Sequence, residues 1–168
     1  KTREEALYKG LVAAGYNMKR RGGLLVTVRD SDKIEITDAV RKFYGLGFTL
    51  YATKGTTQAL RAAGMETAEV GKLHESSDNI LTLIESGKVD YIISTSSKGR
   101  LPSRDSVKIR RKAIERAVPC ITSADTANAL ADSLLSRYSQ LTTELVDINR
   151  MRTEKMRLPF TKMNGTSN

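Results

Sequence analysis

Five short apolar runs, at 24–28, 48–52, 67–70, 91–94 and 120–122, punctuate the chain, and each is bounded by glycine, proline, polar or charged residues. Runs of this length read as strands, and their apolar residues are continuous rather than alternating, which is the mark of strands covered on both faces. Between the runs the spacing turns helical. Val40, Phe43 and Tyr44 mark one face of the first stretch, and Thr57-Gln58-Ala59-Leu60-Arg61-Ala62-Ala63 favours helix in the second. Ile80, Leu83 and Ile84 mark the third, and Val107, Ile109, Ala113 and Ile114 the fourth. Leu130, Leu134, Tyr138, Leu141 and Leu145 follow at spacings of four, four, three and four. Ahead of them all, Thr2-Arg3-Glu4-Glu5 reads as a capping box opening a helix that runs towards Gly15. Strand and helix alternating five times need crossover connections. The pattern therefore predicts an α/β domain of three layers, a five-stranded parallel sheet with helices on both sides, without internal repeat.

In such a sheet the ligand crevice lies beyond the carboxyl ends of the strands, where loops enter helix N-termini. Those loops carry Arg29-Asp30-Ser31-Asp32-Lys33, then Thr53-Lys54-Gly55-Thr56-Thr57, then Lys72, then Ser94-Thr95-Ser96-Ser97-Lys98. Each offers hydroxyls or a lysine. A helix start presents unpaired N–H groups and a partial positive charge to an anion, a glycine lets the anion come close or takes a positive φ, and hydroxyls and lysines add donors and charge. The second loop therefore reads as an anion cradle, with ordinary turn and capping roles as the alternative. It is neither a Walker A loop nor a dinucleotide fingerprint.

Charge sharpens the picture. The formal net charge of +9 is local: residues 1–23 hold six basic and two acidic side chains, 98–116 hold eight and two, and 147–168 hold five and two. The segment 97–117 is a loop kept open by Gly99 and Pro102, then a helix with Asp105 or Ser106 as N-cap, carrying Lys108, Arg110, Arg111 and Lys112. Lys108, Arg111 and Lys112 share a face, and the basic helix is either simply solvated or has an arginine that folds back to the crevice or meets an acidic partner domain. Aromatic residues are few and no nucleic-acid motif is present, so nucleic acid is not the expected partner. Cys120 alone excludes an internal disulfide, and His74 alone excludes a zinc cluster. No apolar run of about 18 residues exists, so a cytoplasmic chain outside the membrane is expected. The start at Lys1, on a helix opening, reads as a segment of something longer, and 151–168 as a tail or linker.

The strings VTVRDSDK, LYATKGTTQAL, EVGKLHE, DYIISTSS and DSVKIRRKAIERAVPCITSADTANAL together resemble the methylglyoxal-synthase-like domain that closes the large chain of carbamoyl-phosphate synthetase. The likeness spans residues 21–150, with 1–20 as the end of the preceding synthetase region, and SVKIRRKAI is its most specific part. It implies a Rossmann-like regulatory domain in a glutamine-hydrolysing ligase that makes carbamoyl phosphate for pyrimidine and arginine biosynthesis. Upstream domains of the same chain would use ATP with Mg or Mn, and a glutaminase small chain would be the partner. The domain itself would hold no cofactor or metal and would bind an effector nucleotide, UMP, IMP or phosphoribosyl pyrophosphate.

Carried over position by position, the resemblance implies effector-phosphate roles for Lys33, Thr53 and Thr56, with a second lysine at Lys72. It implies a polar group at Ser94, Thr95 and Ser96, and a further contact at Ser106. Some members have asparagine where this chain has Ser94, which leaves the effector preference open. Lys54, Gly55 and Thr57 complete the expected site, and Arg110 and Arg111 are candidates for coupling it to the synthetase. Methylglyoxal synthase activity is not expected: Ser96-Ser97-Lys98-Gly99-Arg100 supplies no carboxylate to act as a base, and Arg29 stands where the synthase has a histidine. The alternative is a basic docking module of the same fold for nucleic acid or protein.

Overall fold

The computed structural model describes residues 3–72, 79–95 and 104–136. The order is α1 (Arg3–Ala13), β1 (Gly23–Thr27), a 3-10 turn (Asp30–Asp32), α2 (Lys33–Gly45), β2 (Thr49–Ala52), α3 (Lys54–Ala62), β3 (Thr67–Glu69) and α4 (Ile80–Glu85). β4 (Tyr91–Ser94), α5 (Arg104–Glu115), β5 (Cys120–Ile121) and α6 (Ala124–Leu135) complete it. All five strands are parallel, in the order β3-β2-β1-β4-β5. The sequence pattern placed each strand within one residue or so, and the three-layer architecture is as expected.

The two faces of the sheet bury separate apolar clusters. Leu24, Val26, Leu50 and Ile93 point to the side of α2 and α6, where Ile36, Val40, Phe43, Ala127 and Leu130 meet them together with Leu60 of α3. Leu25 and Ile92 point the other way, to Ile80 and Ile84 of α4 and Ile109 and Ala113 of α5. This division follows from right-handed crossovers: β1 to β2 and β2 to β3 step one way across the sheet, β3 to β4 and β4 to β5 the other. Phe43, Phe48 and Tyr91 lock the first cluster, their ring centroids 5.2–5.8 Å apart and tilted or edge-on. The Tyr91 hydroxyl donates to the Lys19 carbonyl at 2.9 Å, so the one polar atom of that ring is satisfied.

Backbone fit at the start of β1 is equally demanding. Gly22 sits at φ +149°, and a Cβ on Gly23 would lie 1.9 Å from the Lys88 carbonyl oxygen. The Asp90 carboxylate accepts from the Gly23 N–H at 2.9 Å and pairs with Lys19 at 2.7 Å, fastening β1 to the segment entering β4.

Three expectations need correction. Tyr44 is 38% exposed although Val40 and Phe43 beside it are fully buried, because the apolar face of α2 ends there. Of the four apolar positions singled out on α5, Ile109 and Ala113 face the sheet, and Val107 and Ile114, seven residues apart, share the opposite face and stand exposed. α5 also begins at Arg104, so Asp105 and Ser106 are inside its first turn rather than capping it. One cap went unread: Asn79 accepts from the Leu81 and Thr82 amides while the Thr82 hydroxyl accepts from the Asn79 N–H, a reciprocal box that starts α4. The expected continuation of the last helix through Tyr138, Leu141 and Leu145, and the tail, lie outside the described residues. Among the described residues no helix is long and apolar enough to cross a membrane, and no group of three metal-ligating side chains forms.

Candidate functional site

The exits of β1 and β4 lie side by side, yet one chain turns towards β2 and the other towards β5. Divergence of neighbouring connections opens a crevice at the carboxyl edge of the sheet. The two exits are tied together. Thr95 donates its N–H to the Thr27 carbonyl at 3.2 Å, and its hydroxyl accepts from the Arg29 N–H at 3.2 Å. The Arg29 guanidinium donates to Asp32 at 2.7 Å, and Ser31 donates to the same carboxylate oxygen at 2.9 Å. These donors, with a contribution from Thr95, hold the Asp32 carboxyl below the ordinary carboxylate range, Arg29 being the largest cause. The loop that launches α2 is therefore fixed against the end of β4.

That fixing delivers Lys33. Its side chain is only 21% exposed, and its ammonium lies 3.1 Å from the point where a Cβ on Gly55 would be. Two positions 22 apart in sequence thus meet at the first turn of α3. The helix start there has the features of an anion site. Thr53, in the N-cap position with extended backbone, makes no side-chain cap bond, so its capping alternative is not realised. Its carbonyl takes the Thr56 and Thr57 amides, both at 2.8 Å, which leaves the Lys54 and Gly55 amides as the orphan donors of the turn. Among the described residues the buried Thr56 hydroxyl oxygen has no hydrogen-bond partner. A buried unpaired hydroxyl costs about 1–3 kcal/mol, and an incoming oxygen relieves it. Gly55 has an ordinary helical φ rather than a positive one, so its use is close approach alone.

The remaining expected site residues divide. Lys72 comes within electrostatic reach of Asp30, and so belongs to the same charge cluster as Lys33. Lys54 is exposed at the first position of α3. Thr57 is fully buried and its hydroxyl donates to the Ala52 carbonyl at 2.9 Å, so that donor is spent inside the strand-to-helix turn. Ser94 is the last residue of β4, buried opposite Thr27 in the ladder, and Ser106 is buried in the first turn of α5. Ser96, the rest of its loop, and His74 lie outside the described residues. Arg110 and Arg111 do not share an environment: the Arg110 Nε is buried without a partner among the described residues and its charge reaches Cys120, whereas the Arg111 side chain is 83% exposed and bonds Glu115 at 3.3 Å. Lys112 is also off the exposed face, held by Glu85 of α4 at 2.8 Å.

Two carboxylates on this rim were not singled out in the sequence. Asp30 bonds Lys33 at 2.6 Å, and Asp32 organises the loop as described. The hydrogen bond and charge of Lys33, helped by the charge of Lys72, hold the Asp30 carboxyl below its ordinary range. The available signal was the spacing: Asp30 and Lys33 are three apart at a helix opening, as an ion pair requires. Hollows also lie elsewhere, one of about 500 Å³ beside the β3 edge and one of about 320 Å³ at the amino ends of β4 and β5. Neither gathers the donors that the rim does, so the rim remains the candidate site on its chemistry.

The family model of the MGS-like domain matches residues 35–122. Among solved structures, methylglyoxal synthase from Elizabethkingia anophelis NUHP1 superimposes with a TM-score of 0.55 at 20% identity, over 84% of this chain and 95% of that one. The structure of ForH gives a TM-score of 0.40 at 18% identity, over 66% of this chain and 76% of that one.

Proposed function

The chain belongs to the MGS-like domain family, and on that premise we propose that it is the allosteric domain of a carbamoyl-phosphate synthetase large chain, binding an effector nucleotide through its phosphate. The observation that carries this reading is the meeting of Lys33 with the uncapped start of α3, where Gly55 leaves room and the Thr56 hydroxyl waits without a partner. Lys33, Thr53 and Thr56, with the Lys54 and Gly55 amides, would take the phosphate. Lys72 would add charge, and the polar residues at the end of β4 would face the ribose or base. The string SVKIRRKAI supports the synthetase branch of the family, and Arg29 in place of the synthase's histidine argues against catalysis. UMP, IMP and phosphoribosyl pyrophosphate are the effectors to test. ATP and Mg or Mn would act in upstream domains, with the glutaminase small chain as partner.

Calorimetric titration with the three nucleotides, repeated on Thr53→Ala and Lys33→Ala, tests this. Saturable one-to-one binding lost in both variants is the expected result, and binding that survives both would remove the rim from consideration. A catalytic reading has one observation in its favour, the Asp30 carboxylate beside the phosphate lysine. Held below the ordinary carboxylate range, Asp30 is a weak base, and a general base works best near the operating pH. Methylglyoxal formation by the chain, abolished in Asp30→Asn, would reverse the assignment.

A further inference from the structure

We infer that Asp30 is a built-in competitor for the anion site, a carboxylate that occupies Lys33 in the free protein and must release it when a phosphate arrives. The inference rests on the phosphate-binding reading given above and adds what limits affinity there. Asp30 and Lys33 are bonded at 2.6 Å, and the lysine is the cation at Gly55. The two partners differ in freedom. Lys33 is 21% exposed and confined at the crevice, whereas the Asp30 side chain is 94% exposed and can swing into water at little cost. A phosphate placed on the Lys54 and Gly55 amides would bring at least one negative charge next to that carboxylate. Repulsion and competition for one ammonium act in the same direction. The charges known to bear on Asp30 are Lys33 from α2 and Lys72 after β3; Asp32 is turned to Arg29 and Ser31 instead. Asp30 also screens the site against weak anions, because only a ligand that offers more than the resident carboxylate displaces it.

Titration of the whole chain with inorganic phosphate, and with UMP and uridine, on wild type, Asp30→Asn and Lys33→Ala separates the possibilities. The asparagine keeps the shape and removes the charge. An exposed ion pair is weak, so the expected gain for Asp30→Asn is about three- to tenfold in phosphate and UMP affinity, with no gain for uridine, and a smaller gain at high salt. A carboxylate that merely positioned Lys33 would give the opposite, weaker binding on its removal. Unchanged or weakened phosphate binding in Asp30→Asn, with binding lost in Lys33→Ala, overturns the competitor while leaving the phosphate site standing. Binding by Asp30→Asn where wild type shows none upholds it. No binding by either overturns the phosphate site and the competitor together.

Discussion

Replacing Gly55 by alanine separates a glycine that serves the fold from one that serves a ligand. Gly55 is the second residue of α3 and has no positive φ, so alanine fits the backbone. The added Cβ would meet one atom within 4 Å, the Lys33 ammonium at 3.1 Å, which is the far end of a flexible chain and can move by the few tenths of an ångström needed. Alanine is the better helix former by up to about 1 kcal/mol in a helix interior, and about half of that is expected in a first turn. For a domain of this size that raises the melting temperature by roughly 1–2 °C. Binding should move the other way. The methyl stands between an incoming oxygen and the orphan amides, and losing one hydrogen bond to a charged group costs about 1.5–3 kcal/mol, or roughly 10- to 100-fold in affinity. Thermal unfolding and calorimetric titration with UMP, IMP and phosphoribosyl pyrophosphate read the two effects on the same sample. A variant that is as stable as the parent or more so, and binds just as tightly, would refute the cradle.

Gly23→Ala should destabilise by about 3 kcal/mol or more in urea unfolding, because its Cβ would meet the Lys88 backbone carbonyl rather than a side chain that can turn away. Phe43→Ala, which removes the ring shared by Phe48 and Tyr91, should cost about 3–5 kcal/mol by the same measurement. Burial pushes the Cys120 thiol up, and the opposing charge of Arg110 is the smaller cause. Its reaction with a thiol reagent at pH 8 should therefore be slower than that of a free cysteine. The same shift favours the folded state below the ordinary thiol range, and that advantage should fade as pH rises past it, as stability against pH will report. Effector binding through one phosphate should weaken only shallowly with salt, with a log–log slope of roughly −1, whereas a basic docking module gripping a nucleic acid would give a slope several times steeper.

The architecture was legible because three independent features agree along the chain. Continuous apolar runs such as Leu24-Leu25-Val26 put side chains into both faces of the sheet, and helical spacing between them requires crossovers. The handedness of those crossovers then brings the starts of α2 and α3 to the same edge. Lys33 and Gly55 could be assigned to one rim on that reasoning. Their actual approach depends on the loop before Lys33, fixed by Arg29, Asp32 and Thr95, and such a network of side-chain bonds leaves no periodic trace. The α5 face was misread for a related reason. Val107, Ile109, Ala113 and Ile114 fit a helix, but only the position of the sheet decides that Ile109 and Ala113 face it and the other two do not.

The same physics explains why residue type alone sorted the threonines poorly. Thr53, Thr56 and Thr57 are alike in sequence, and all three are buried at one turn. Thr57 satisfies itself on the Ala52 carbonyl, Thr53 leaves the helix uncapped, and Thr56 finds no partner among the described residues. A turn selected for stability alone would have closed the last two, since an N-cap bond is worth about 1 kcal/mol and an unpaired buried hydroxyl costs at least as much. Both are left open beside a lysine held by an exposed carboxylate, and a bound anion of the kind proposed would offset that cost. What distinguishes the rim is therefore less the presence of threonine, glycine and lysine than which of their bonds the described residues leave unmade.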